Sequence, residues 1–285
     1  MYNGILLINK ESGWSSFDVV AKVRGILQKD KQHLHAERGF CMEMTGKDGV
    51  SNTASRTYEY GERVAQQPDT TGRTKESRVV RSPNEQVFRC KCRVKVGHTG
   101  TLDPLAKGLM IVVVGDYCKR ASEFSKLDKV YEVRMKLGET STTGDDEGVK
   151  TNVQCSMFNV QEVEEALKSF TGVSMQTPPA FSAIKVDGKR AYELAREGKE
   201  VKIEPREITI YDINLNKYDF PFVDFTVHVG SGAYVRSLVE DIGKKLGTGA
   251  YMSALTRIKV GEYNIADSIA VEDTTSSKLR EITQK

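Results

Sequence analysis

Two short segments concentrate residue types that can do chemistry. The first is Gly97-His98-Thr99-Gly100-Thr101-Leu102-Asp103-Pro104-Leu105-Ala106-Lys107-Gly108, with three glycines, one proline and two threonines. Such residues make a tight, shaped loop. The apolar run Leu109–Val114 follows at once, so the loop is anchored on a rigid element. A loop of this kind can hold one carboxylate, Asp103, at a fixed angle. The plainer reading of the same residues is that Asp103 caps a turn before Pro104. The second segment is Gly230-Ser231-Gly232-Ala233-Tyr234-Val235-Arg236-Ser237-Leu238. Its Arg236 offers a planar fork of donors suited to a carboxylate or a phosphate. An arginine near a helix start can also hold a buried aspartate ionised. Taken alone, Arg236 reads as a surface ion pair and Tyr234 as core packing. The first segment is not a phosphate-binding loop, a dinucleotide fingerprint or a kinase signature.

Three weaker signals stand beside these. Cys90-x-Cys92, with Cys41, His33 and His35, has zinc-ligand residue types. One residue between the cysteines falls short of the usual two to four, so unliganded thiols are the reading taken. Asp145-Asp146-Glu147 has the residue types of a Mg²⁺ site but reads as a solvated polar turn. His228 sits on the polar side of a strand and reads as a cross-strand surface residue.

These residues need elements to hold them. Gly4–Asn9 reads as a buried strand. A helix follows, opened by the reciprocal cap of Ser15 and Asp18 and carrying Phe17, Val20, Val23 and Ile26/Leu27 on one core face. Leu109–Val114 is a buried strand. Val130–Leu137 alternates strictly, which makes a half-exposed antiparallel strand. Asn159 with Glu162 caps a helix that stops at Gly172. Lys189–Arg196 is a short helix. Residues 208–215 and 222–229 are strands, and Arg236–Leu246 is a helix closed by Gly247. Strands and helices mix without a repeating βαβ unit, so the class is α+β.

Composition bounds the whole. The chain has 285 residues, with 42 Lys and Arg against 39 Asp and Glu and a net charge of +3. That balance does not by itself mark a nucleic-acid binder, because clustering matters more than the sum. No apolar run reaches the roughly 18–20 residues of a membrane span. Five cysteines on a chain of this size argue against a disulfide framework. No signal peptide is read at the N-terminus, which begins as the first strand of a cytoplasmic protein. Residues 31–90 contain only ten large apolar residues among sixty, with ten basic and eight acidic residues. They have too little apolar surface to offset their ordering entropy easily. They read as an insertion, flexible or accessory, in a domain that covers 1–266. A short tail, 267–285, follows.

Several blocks then occur in one order. They are Gly4-Ile5-Leu6-Leu7-Ile8-Asn9-Lys10 through Ser15-Ser16-Phe17-Asp18-Val19-Val20, then Gly97-His98-Thr99-Gly100-Thr101-Leu102-Asp103-Pro104. Tyr131 follows in its alternating strand, then Pro178-Pro179-Ala180-Phe181-Ser182-Ala183-Ile184-Lys185. Gly232-Ala233-Tyr234-Val235-Arg236 and Leu255 with Arg257 complete the set. In these blocks the sequence resembles the TruB family of tRNA pseudouridine synthases, which modify the T-loop uridine at tRNA position 55. The likeness spans residues 4–262 apart from 31–90. One departure is Glu11, where the family usually has proline.

The resemblance implies a pseudouridine synthase fold, with a mixed, largely antiparallel sheet flanked by helices. It also implies roles. Asp103 matches the catalytic aspartate and Arg236 the arginine that pairs with it. Tyr131 matches the aromatic residue stacked on the target base. Tyr234 and Leu255 match further pocket residues, His98 the histidine that organises the substrate loop, and Lys10 a lysine of the N-terminal block. The expected partner is the tRNA T-arm, bound by a monomer with no cofactor, metal, membrane or obligatory protein partner. Many relatives add a C-terminal RNA-binding PUA domain, which the residues after 266 are too few to form. Two rival readings are a non-catalytic RNA module on the same scaffold and the guide-RNA-dependent relative.

Overall fold

The computed structural model describes residues 2–37, 93–154, 157–182, 184–186, 188–198 and 201–283. Within them the chain runs β1 (Gly4–Lys10), α1 (Ser16–Glu37), β2 (Val96–His98), β3 (Lys107–Val114), α2 (Ala121–Ser125), β4 (Lys129–Leu137), β5 (Glu139–Ser141) and β6 (Lys150–Asn152). It continues through α3 (Val160–Lys168), β7 (Gly172–Gln176), β8 (Lys185–Val186), β9 (Lys189–Arg190), α4 (Ala191–Arg196), β10 (Arg206–Asp219) and β11 (Phe222–Val229). Then come α5 (Val235–Leu246), β12 (Ala250–Val260), β13 (Tyr263–Asn264), β14 (Ile269–Ala270) and α6 (Ser276–Thr283). Two compact units divide the chain, residues 1–30 with 94–285, and residues 31–93. Of the second unit, only the last turns of α1 and Arg93 are described. Cys41, Cys90 and Cys92 lie outside the described residues.

The first unit is built on one sheet in the order β14-β1-β3-β12-β4-β11-β10-β7, with β2 paired to β3 and β13 to β12. Only β1–β14 and β12–β3 are parallel pairs; the other pairings are antiparallel. This is the mixed α+β sheet expected from the sequence. β3 is buried on both faces, which explains its unbroken apolar run. Met110, Val112 and Val114 pack with Val19, Val20, Val23 and Leu27 of α1. Leu109, Ile111 and Val113 pack with Phe124 of α2. A larger core lies where Val163 and Leu167 of α3 and Leu238, Val239 and Ile242 of α5 meet β4, β10, β11 and β12.

Local expectations are met at several points. The Ser15 amide donates to Asp18 Oδ2 at 2.9 Å and the Asp18 amide to Ser15 Oγ at 3.1 Å. Asn159 and Glu162 form the same reciprocal cap on α3. Gly247 closes α5 in the left-handed conformation. Two expectations need correction. Phe17 is 66 % exposed and is not on the core face of α1. Ser16 turns inward to the backbone of Leu102, and the next residue lies about 100° further round the helix. The helix placed at Lys189–Arg196 begins only at Ala191, because Lys189 and Arg190 form β9 instead. Among the described residues, no helix is long and apolar enough to cross a membrane.

Candidate active site

The loop between β2 and β3 carries Asp103, and its backbone is tied down carbonyl by carbonyl. The Leu102 carbonyl accepts from Ser16 Oγ at 2.9 Å, and the Leu102 amide donates to the same oxygen at 2.8 Å. The Asp103 carbonyl accepts from the Ala106 amide at 3.1 Å. The Pro104 carbonyl accepts from the Gly13 amide at 2.9 Å and from Lys10 Nζ at 3.2 Å. The Leu105 carbonyl accepts from Ser12 Oγ at 3.1 Å. The β1–α1 connection is therefore the floor under the loop.

Lys10 is fully buried. Its ammonium also donates to the carbonyls of Glu11 at 3.0 Å and Trp14 at 2.6 Å. Burial pulls its pKa down to about 8, against the attraction of Asp103 and with the repulsion of Arg257. The structure thus places Lys10 behind the loop, holding carbonyls, and not on an open surface.

Arg236 stands in the first turn of α5. Its Nε lies 3.0 Å from Asp103 Oδ2. Nη1 donates to the Thr143 carbonyl at 3.0 Å and lies 3.6 Å from Asp145 Oδ2. Nη2 donates to the Phe181 carbonyl at 2.8 Å. The arginine side chain is 7 % exposed and the Asp103 side chain 37 %. A buried guanidinium, fixed from three directions, thus grips one oxygen of a carboxylate that still reaches solvent. Asp103 Oδ1 has no hydrogen-bond partner among the described residues. One turn along α5, burial raises the Glu240 carboxyl against the pull of Lys244.

Asp146 and Glu147 are exposed, as a solvated turn requires, but Asp145 departs from that reading. It is 5 % exposed, and Thr143 Oγ1 and the Glu147 amide donate to it. The turn folds back because residue 145 bridges Met252 of β12, whose amide donates to the Gly144 carbonyl at 3.0 Å. No metal-binding group of three or more His, Cys, Asp or Glu occurs among the described residues.

The remaining expected residues lie on β2, β4 and β12 and just before α5. Tyr131 and Leu255 are each 8 % exposed and belong to one cluster with Leu102 and Ala106 of the loop. Tyr234 immediately precedes α5, and burial pushes its phenol up, with Ser182 acting against that shift. His98 is on β2. Burial and the charge of Arg257 lower its pKa, and its Nδ1 has no partner among the described residues. A cleft of about 940 Å3, lined by Asn3, Tyr117, Arg120, Phe124 and Tyr263 among others, includes none of these residues.

A model for the N-terminal domain of TruB family pseudouridylate synthases matches residues 85–235. The chain belongs to the TruB family. A model for the C-terminal domain of tRNA pseudouridylate synthase B matches residues 236–283 of this TruB chain. The tRNA pseudouridine synthase B of Clostridium acetobutylicum is 43% identical over 196 residues, 69% of this chain and 68% of that protein. The protein of the same name from Parabacteroides distasonis is 44% identical over 182 residues, 64% and 77% of the two chains. That from Aquifex aeolicus is 40% identical over 186 residues, 65% of each. The matched stretch spans 65% to 77% of these curated relatives. Among solved structures, one chain of a Cbf5-Nop10-Gar1 complex superposes with a TM-score of 0.57 at 21% identity, covering 95% of this chain and 53% of that one. An H/ACA RNP bound to a substrate RNA containing 2'-deoxyuridine gives 0.54 at 20%, covering 95% and 51%. These two carry the fold alone. Pseudouridine synthases are isomerases, so the TruB chain is of an enzyme family.

Three further residues complete this TruB site; Asp145 and Gln176 carry no distinctive signal in the sequence, and Arg257 is marked only by its place in the family blocks. Asp145 is hidden in a polar run. Gln176, at the end of β7, donates Nε2 to the Tyr234 carbonyl at 3.1 Å and accepts the Tyr234 amide on Oε1 at 2.8 Å. Arg257, 2 % exposed, donates Nε to the Leu109 carbonyl at 2.7 Å and Nη2 to the Gly100 carbonyl at 3.1 Å.

Proposed function

We propose that the protein converts uridine to pseudouridine at position 55 in the T-loop of tRNA, with Asp103 acting on an extruded nucleotide. The reaction breaks the N1–C1′ bond, turns the base and joins C5 to C1′, C5 giving up its proton and N1 taking one up. It is an isomerisation, so its balance calls for no redox cofactor. A base within a folded loop has to leave its stack before a protein carboxylate can reach its sugar. Asp103 acts at the sugar, as nucleophile or as base. In either role one carboxylate oxygen faces the substrate while the other stays on a fixed cation. The Asp103–Arg236 contact of 3.0 Å, with Asp103 half-exposed and Arg236 buried, carries this reading. The phenyl ring of Tyr131 is the stacking partner for the extruded base, worth roughly 1–3 kcal/mol. His98, Tyr234 and Leu255 shape the pocket, and Lys10 keeps the loop in place from behind. The T-arm is bound by a monomer without an obligatory protein partner.

The test is site-resolved mapping of pseudouridine after incubating purified protein with an unmodified tRNA transcript. Product at position 55 with protein alone is the expected result. Asp103→Asn abolishes it while tRNA affinity stays within a few-fold. Binding without product would leave an RNA-binding module. Product only with added guide RNA and partner proteins would assign the chain to guide-dependent chemistry.

A further inference from the structure

We infer that Ser16 and Gln176 are positioning residues for the Asp103–Arg236 pair, each gripping both backbone groups of a residue just ahead of its charged partner. The inference rests on the reading of Asp103 as the reacting carboxylate. Asp103 and Arg236 come from a loop and from a helix start that are 133 positions apart in the sequence (236 − 103). Their direct contact is one Nε–Oδ2 approach. A single point contact does not fix the angle at which a carboxylate is presented, so the two backbones must be held by other ties.

Ser16 supplies the first. Its hydroxyl donates to the carbonyl and accepts the amide of Leu102, the residue before Asp103, and the side chain is buried. Gln176 supplies the second. Its amide pairs with both backbone groups of Tyr234, two residues before Arg236, and it too is buried. Tyr234 is the residue that caps α5, and it makes no side-chain capping bond of its own. Gln176 therefore holds the cap residue by its backbone and attaches the helix start to β7. Ser237 Oγ adds a bond to the Thr177 carbonyl at 3.0 Å beside it. Each grip joins two backbone groups to a side chain from a separate element, Ser16 from α1 and Gln176 from β7. Loss of Ser16 frees the amide and the carbonyl of Leu102; loss of Gln176 frees the Tyr234 amide and leaves the Tyr234 carbonyl with only its helical bond from the Leu238 amide.

Misplacement of a reacting group by about 1 Å can cost on the order of 100-fold in rate. The experiment compares the full chain with Ser16→Ala, Ser16→Thr and Gln176→Met, the last keeping volume while removing both bonds. Single-turnover conversion of an unmodified tRNA transcript at saturating enzyme, tRNA affinity, and amide hydrogen exchange over 99–106 and 232–238 are read together. Ser16→Ala and Gln176→Met are expected to slow the saturated rate roughly 10- to 100-fold with affinity nearly unchanged. Exchange accelerates in the segment each one holds, and Ser16→Thr, which keeps the hydroxyl, restores both readouts. Rates at the wild-type level, or a loss that follows affinity alone, would overturn the inference. Should Ser16→Ala not fold, Gln176→Met makes the same comparison. If the wild-type chain makes no pseudouridine, the functional reading fails, and exchange alone then decides whether the two grips exist.

Discussion

Lys10 is a cation held by carbonyls alone. Among the described residues no carboxylate is in contact with it, and three backbone oxygens take the place of water around Nζ. Burial brings its pKa from 10.5 to about 8. Between those values the folded chain has released a proton that the unfolded chain still holds, so raising the pH favours the folded state. The stability of the wild type relative to Lys10→Met is therefore expected to increase from about pH 8 towards 10.5, measured by urea unfolding at several pH values. A difference that stays flat would remove burial as the cause. At this scale the residue types alone read Asp103 as a turn cap and Arg236 as a surface ion pair; it is the family resemblance that pairs them, and they meet at 3.0 Å with Arg236 buried. Ser16 and Gln176 are not visible, because their partners are backbone groups 86 and 58 residues away, and a backbone group leaves no mark in the sequence. Asp145 is hidden for a different reason: its charge is indistinguishable by type from its exposed neighbours Asp146 and Glu147.

Elements read correctly where one local rule suffices. The alternation of β4, the reciprocal caps of α1 and α3 and the glycine stop of α5 all follow from patterns within a dozen residues. β12 follows no such rule and does not emerge from the pattern, although it is central to the sheet. Its register against β4 shifts between Met252 and Ala254 and again between Arg257 and Lys259. Each irregularity resets the alternation, so no period of two survives along it. β12 also needs a close neighbour to accept it. Gly108 has φ +107, and a Cβ there would lie 2.3 Å from the Arg257 carbonyl oxygen and 2.7 Å from its amide nitrogen. Those atoms are backbone and cannot rotate away. Gly108→Ala adds positive-φ strain of about 1–3 kcal/mol to overpacking of similar size, so a loss of roughly 3 kcal/mol or more is expected in urea unfolding. Because Arg257 holds the Gly100 carbonyl, the displaced strand carries the start of the Asp103 loop with it. A stability change below about 1 kcal/mol would show that β3 and β12 can separate freely.

At the scale of the whole molecule, two deletions should have opposite consequences to those their lengths suggest. Residues 267–285 are few, but those described are built into the first unit. β14 pairs with β1 through Ile269 and Ile8, and the Asn3 amide donates to the Thr283 carbonyl at 2.9 Å. Val271 and Leu279 are buried with Leu6, Ile8, Val19 and Val23. Arg280 Nε lies 2.6 Å from Asp30 Oδ2, and the Tyr2 hydroxyl donates to the same buried carboxylate. Each lost large apolar side chain costs about 1.5–3 kcal/mol, and a buried charge left unpaired about 3–5 kcal/mol. A domain's entire stability is about 5–15 kcal/mol. A chain ending at Ala266 is therefore expected to be unfolded by circular dichroism. Residues 31–93 are many more, yet the first unit already joins the ends they leave. The Val94 amide donates to Gln28 Oε1 at 2.9 Å, across the points where 31–93 depart and return. Replacing them with a short flexible linker shortens the loop to be closed, which lowers its entropic cost. Every residue named in the site lies within 1–30 or 94–285. The deletion variant is expected to unfold within a few degrees of the full chain and to keep its single-turnover rate at saturating tRNA. Its tRNA affinity then measures what the insertion adds to binding, separately from catalysis. A folded variant that has lost its saturated rate would mean that 31–93 take part in the chemical step itself.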